Sequence, residues 1–238
     1  MRSCISKGGN MSRIKSSLIF SVLMLVLANA AAFSETIYGF KAGLSLSNFW
    51  GNGLTDFEED LAGSGPVSDL ETHFVLFVTG GIFVRYDLIP DFLAVQPELL
   101  YLRGGKSWDV NGELFKVYAD YLTIPVVFKL MIPLDYPVTP SAYAGPMLAL
   151  RLRARTEGLE NVPGGADLGF MTGFEENIND EVTVFDVGFA TGLSFDIEAG
   201  PGDIVLDFRF SWGAVEVFDG QDIRNYAFQL MGGYAFGF

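Results

Sequence analysis

The feature that most constrains this chain is a two-residue hydrophobic period that recurs eight times. In the first instance Tyr38, Phe40, Ala42, Leu44 and Leu46 alternate with Gly39, Lys41, Gly43, Ser45 and Ser47. Successive strand residues point to opposite faces, so this pattern builds a strand with one apolar face and one polar face. The same signal predicts further strands over about 73–86, 92–106, 116–132, 139–156, 182–198, 203–217 and 223–238. In the seventh, Ile204, Leu206, Phe208, Phe210 and Trp212 stand opposite Asp207, Arg209 and Ser211.

Which face points inward decides the class of protein. A soluble sandwich or lipocalin-like carrier would turn the large apolar face inward. Here the apolar faces are rich in Phe, Tyr and Trp, most of all near strand ends. The opposite faces carry Gly, Ala, Ser and a few ionisable groups, which suit a narrow lumen. That distribution fits an outward lipid-facing band with aromatic girdles. Composition agrees: 50% of the residues are hydrophobic and 18% charged. Yet no unbroken apolar run of 18 residues follows residue 33, so the apolar content is not gathered into a spanning helix.

The connections sharpen the assignment. Short ones are expected at 87–91, 133–138 and 199–202. They alternate with longer ones at 50–72, 107–115 and 157–181, and a modest one at 218–222. Short periplasmic turns alternating with longer external loops are the habit of outer-membrane barrels. Backbone amides cannot stay unpaired in hydrocarbon, so such a sheet must close. The expected fold is therefore all-β, an eight-stranded antiparallel up-and-down transmembrane β-barrel. At that size side chains fill the interior. The expected lumen charges are Lys41, Arg85, Lys129, Arg151, Arg153, Arg155 and Arg209, with Glu98, Asp186, Asp196 and Asp207. Gly39, Gly43, Gly188, Gly192, Gly213 and Gly233 would let the wall approach these long side chains.

The first 32 residues read as a cleaved signal peptide. Arg2, Lys7, Arg13 and Lys15 precede an apolar core, Leu18 to Leu27, broken only by Ser21. Small residues at 28–32 offer cleavage after Ala30 or Ala32, and either Met1 or Met11 would serve as the start. The single cysteine, Cys4, precedes that core, so neither a lipid anchor nor a disulfide is expected. Residues 33–238 then form one barrel domain. Cleavage after Ala32 leaves eleven basic residues against 29 acids, a net −18 over 206 residues. That balance disfavours nucleic acid as a partner.

Three features invite a chemical role. His73, the only histidine, lies near Ser68 and Glu71, but that spacing is commonplace, and a girdle histidine is the plainer reading. Arg151, Arg153 and Arg155 have a period of two and are expected on one face, as ion-pair partners or as a site for an incoming anion. The long connections are acidic: 50–72 and 157–181 hold thirteen Asp and Glu and no Lys or Arg. They lack the spacing of an EF-hand, so a solvated anionic surface is expected rather than a calcium site. No catalytic residue, cofactor or metal is expected.

Several segments carry a likeness in the right order. Tyr38-Gly39-Phe40-Lys41-Ala42-Gly43-Leu44-Ser45-Leu46-Ser47-Asn48-Phe49 resembles the first strand of PorT-like outer-membrane β-barrel proteins. Gln96-Pro97-Glu98-Leu99-Leu100-Tyr101 is similar to that family's third strand. Tyr121-Leu122-Thr123-Ile124-Pro125 through Lys129 resembles its fourth, with Thr123 in place of the usual acid. Tyr143-Ala144-Gly145-Pro146 is similar to its fifth. Tyr234, Phe236 and Phe238 resemble the C-terminal signal read by the barrel assembly machinery. The resemblance implies an outer-membrane location after export through the inner membrane. It also implies a non-enzymatic structural or interaction role at the cell envelope, linked to protein secretion. The partners would be outer-membrane lipid, the assembly machinery and an envelope or secretion protein. The alternatives are a narrow channel or porin for small solutes, a lipid-modifying enzyme and a soluble lipocalin-like carrier.

Overall fold

In the computed structural model eight antiparallel strands close on themselves. The described residues are 36–52, 70–110, 113–157, 185–214 and 224–237. The strands are β1 (Thr36–Trp50), β2 (Leu70–Ile89), β3 (Leu93–Val110), β4 (Glu113–Met131), β5 (Val138–Glu157), β6 (Phe185–Ala199), β7 (Gly202–Gly213) and β8 (Arg224–Gly237). Each pairs with its sequence neighbours, and β1 also pairs with β8. Tyr38 faces Val84 on one side and Phe236 on the other, so no edge is left open. The expected signal peptide, most of the external loops and Phe238 lie outside the described residues.

Burial is inverted relative to a soluble protein. Lys41 and Asp207 are each 1% exposed, whereas Val78 is 67% and Phe40 is 52% exposed. The exposed apolar side chains form a band around the wall. On β4 and just beyond it, Leu122, Ile124, Val126, Phe128, Leu130 and Ile132 share the outer face. Ten residue steps at ~3.4 Å each, tilted by ~40°, span roughly 26 Å of height, close to the ~25 Å apolar band of such barrels. Aromatic rings mark both rims. Tyr234 and Phe236 lie 4.8 Å apart at the periplasmic end, and Trp50 and Trp212 lie 6.0 Å apart at the other. The soluble-carrier alternative, with its apolar face inward, does not describe this barrel.

The turn between β2 and β3 is tight. Phe92 N–H donates to the Ile89 carbonyl at 3.1 Å, and Asp91 takes a left-handed φ of 58°. Asp tolerates that conformation better than most residues.

Two expectations need correction. The span 107–115 is not a long loop: β3 runs to Val110 and β4 starts at Glu113, leaving two residues between them. The strands simply continue past the membrane band, their cross-strand pairs intact from Ser107↔Lys116 to Val110↔Glu113. Also, β7 ends at Gly213 rather than near 217. His73 lies within β2, with its backbone opposite Ser107.

The band yields a direct test. Leu193, 52% exposed at mid-height on β6, faces lipid. Leu193→Arg should destabilise the barrel by about 2–4 kcal/mol in lipid vesicles. Leu193→Ala should cost far less, because lipid fills the space left. Denaturant unfolding monitored by tryptophan fluorescence separates the two.

Candidate functional site

The densest chemistry in the molecule lies inside the barrel, because odd positions on β1 and β7 and even positions on β3 and β6 all point inward. Eight of the inward charges form two separate layers, each drawn from alternate strands. Small barrels stack inward side chains in just this way.

The first layer comes from the odd-numbered strands. Lys41 Nζ on β1 donates to Glu98 Oε1 on β3 at 2.9 Å and to Asp207 Oδ2 on β7 at 2.5 Å. Arg209 donates to Glu98 Oε1 at 2.9 Å, and its other amino group lies 2.8 Å from Glu98 Oε2. The Tyr143 hydroxyl on β5 donates to Asp207 and accepts from Arg209 Nε at 3.0 Å. Gln96 Nε2 donates to Glu98 at 2.7 Å. Two cations therefore meet two carboxylates, with two neutral side chains completing the bonding.

The second layer comes from the even-numbered strands, nearer the periplasmic turns. Lys129 Nζ on β4 lies 2.7 Å and 3.0 Å from the two Asp196 oxygens on β6. Arg85 on β2 lies 2.8 Å from Asp196 and 3.2 Å from Asp87. Ser194 donates to Asp196 at 3.1 Å. This layer is also two cations against two carboxylates. A charge moved out of water into a dry interior is stable only when paired, and both layers meet that condition.

Glycine makes room where inward side chains need it. A Cβ at Gly192 would sit 2.4 Å from the Tyr143 hydroxyl, and one at Gly213 would sit 2.2 Å from Asp186 Oδ2. Two voids among the described residues of the lumen are small. One of about 160 Å³ lies at the periplasmic mouth beside Arg85, Asp196 and Asp203, and one of about 10 Å³ lies above the layers beside Tyr121 and Asp186. A wider recess, about 680 Å³, opens on the apolar outer wall among Leu44, Leu46, Phe208, Phe228 and Leu230.

The arginine triplet does not share one face. The β4–β5 register slips by one residue between Asp120 and Tyr121, so that Tyr121 faces Arg151 while Asp120 faces Arg153. The extra residue, Leu152, is a β-bulge, and a bulge reverses the alternation beyond it. Arg151 stays inward, opposite the buried Tyr121. Ala154, wholly buried opposite Ala119, takes the next inward place. Arg153 and Arg155 are therefore turned onto the outer wall, not into the lumen. Asp186 lines the void above the layers and belongs to neither of them.

Some contributors escaped the sequence reading. These are Asp87, which completes the second layer, and Lys106, buried further up the lumen, whereas Tyr143, Gln96 and Ser194 lie on the inward faces that alternation assigns them. On the outer wall Arg103 pairs with Asp120, its cross-strand neighbour. Arg103 Nη2 donates to Asp120 Oδ2 at 3.1 Å, and the Tyr101 hydroxyl donates to Asp120 Oδ1 at 2.7 Å. Among the described residues no group of three or more His, Cys, Asp or Glu is placed to hold a metal.

The sequence from residue 29 to 219 matches the model of the outer membrane protein beta-barrel domain. The chain belongs to that family. No curated protein matches it. Among solved structures, Ail of Yersinia pestis, in complex with the heparin analogue sucrose octasulfate, is 13% identical, with a TM-score of 0.40 over 85% of this chain and 99% of that one. Neisserial surface protein A is 16% identical, with a TM-score of 0.41 over 84% of this chain and 96% of that one. As a member of the outer membrane protein beta-barrel family, the chain resides in the outer membrane, and its paired charges are the packing of a membrane barrel.

Charge matching within a layer can be tested by removing one partner at a time. Lys41→Met leaves Glu98 and Asp207 sharing one cation and should cost about 3–5 kcal/mol. Adding Asp207→Leu restores the match between Glu98 and Arg209, so the double variant should regain much of that loss. Ser45→Ala is the control: its buried hydroxyl has no hydrogen-bond partner among the described residues, and the change should be near neutral. Urea unfolding in vesicles reads all three.

Proposed function

We propose that this outer-membrane barrel is a non-enzymatic, non-conducting scaffold that presents acidic external loops to a partner at the cell envelope. One observation carries the reading. The two lumen layers join odd strand to odd strand and even strand to even strand across the interior, through Lys41, Glu98, Asp207 and Arg209 and through Arg85, Lys129 and Asp196. A lumen crossed in this way leaves the loops and the outer wall as the surfaces available for function. The narrow-channel alternative is disfavoured by the same pairs. The lipid-modifying alternative has little support, since it rests on His73 and the commonplace spacing of Ser68 and Glu71.

The loops give the kind of partner. Residues 51–69 and 158–184, between the strands, hold eleven acids and no basic residue, which favours a basic protein surface and repels polyanions. The likeness to PorT-like proteins in strands one, three, four and five supports a role in protein secretion.

Two outcomes follow. In planar bilayers the protein should give no stable conductance steps, whereas Lys41→Ala with Arg209→Ala should leak. Sustained conductance by the unaltered protein would revive the channel reading. In the native cell, changing Glu175, Glu176, Asp180 and Glu181 to amides should impair delivery of secreted and surface proteins while leaving barrel insertion intact. Unimpaired delivery in cells lacking the protein altogether would remove the secretion link.

A further inference from the structure

Beyond the loops, the outer wall carries a second feature. Of the eleven basic residues after position 32, four lie on the outer face of three adjacent strands, past the external end of the apolar band. They are Arg103 on β3, Lys116 on β4, and Arg153 and Arg155 on β5. On the outer face of the remaining strands, among the residues whose side chains are described, the basic residue is Arg224 on β8. That arginine is already engaged, donating to the Ala214 carbonyl at 3.1 Å and lying over the Trp50 ring.

The placement is built rather than incidental. Without the bulge at Leu152, Arg153 and Arg155 would follow Arg151 into the lumen. Arg155 lies over the Tyr118 ring at 5.6 Å, and Arg103 lies 5.0 Å from the Tyr118 ring and 5.6 Å from the Phe77 ring. These rings fix two guanidinium planes. Within the patch Asp120 is the acid that is paired, and it is held by Arg103. In the backbone register Glu157 stands across from Lys116. Asp109, the next acid outward on β3, is six residues beyond Arg103. Arg153 is exposed and makes no ion pair among the described residues, and Arg155 Nε is buried without an acceptor.

We infer that Arg153 and Arg155, supported by Arg103 and Lys116, bind the phosphate of a phosphorylated glycolipid headgroup in the outer leaflet. Guanidinium groups match phosphate oxygens in a fork geometry. The height is that of headgroups: Leu122 and Leu152, both apolar and outward, lie directly below and would meet the acyl chains. Lateral approach also explains how an anion reaches a protein of net charge −14, because acidic loops discourage one arriving from solution. The site goes beyond the loop-partner reading and does not depend on it.

The test uses full-length protein reconstituted in phosphatidylcholine vesicles containing lipid A, a phosphorylated glucosamine-disaccharide lipid. Lipid retained after mild detergent extraction is counted by native mass spectrometry. The unaltered protein should retain lipid A and lose it when the lipid is dephosphorylated, a comparison that requires no variant. Arg153→Gln with Arg155→Gln should weaken retention roughly tenfold or more, since charged hydrogen bonds to phosphate are lost. Arg224→Gln should leave it unchanged. Equal retention of dephosphorylated lipid A, or undiminished retention by a double variant that still shifts mobility on boiling, would overturn the inference. Competition by millimolar inorganic phosphate would overturn the assignment to lipid and leave a plain phosphate site.

Discussion

Everything in this molecule depends on the pairing of β1 with β8. In hydrocarbon an unpaired backbone amide has no water to turn to, and each costs several kcal/mol. Fourteen register pairs from Ile37↔Gly237 to Trp50↔Arg224 remove the two edges that an open eight-stranded sheet would expose. Closure at eight strands then fixes the interior as narrow. A narrow interior needs small residues beside long ones, and any charge within it needs a partner. The glycines at 192 and 213 and the two neutral ion-paired layers are consequences of that single requirement.

The division of the layers between odd and even strands has a mechanical meaning. Staggered strands bring alternate neighbours to one height, so each layer braces strands that share no backbone hydrogen bonds. Lys41 on β1 ties to Glu98 on β3 and to Asp207 on β7. Lys129 on β4 ties to Asp196 on β6, which Arg85 on β2 also holds. The ladder fixes the circumference, and the layers fix the cross-section. A wall rigid in both senses can hold external loops, and an array of arginines, at a constant height above the lipid.

Much of this was legible in the residues, for a physical reason. A period of two is the signature of a strand, and the aromatic weight on one face gave its direction, so strand number, fold class and the inward positions of Lys41, Glu98, Lys129, Asp196, Asp207 and Arg209 followed from alternation alone. Alternation fails where a bulge inserts a residue, which is why Arg153 and Arg155 were expected inside. Nothing in Arg151-Leu152-Arg153 announces the slip, because it is set by pairing with β4. The β3–β4 connection was misjudged for a different reason. Asn111-Gly112, a pair strongly favoured in two-residue hairpins, stood in the sequence, but the polar residues around it read as loop. The Arg103–Asp120 pair was invisible because it depends on cross-strand register, as did the choice of partner for every lumen charge.

The central claim is a closed, ion-packed barrel in the outer membrane, and one measurement meets it most directly. Membrane fractions of cells producing the protein are separated, and boiled and unboiled samples are run side by side on a detergent gel. The account predicts an outer-membrane band whose mobility changes on boiling, since a closed ladder resists detergent until heat opens it. A soluble periplasmic protein with the same mobility in both lanes would contradict the account, and the Phe-rich face would then have to line an interior pocket.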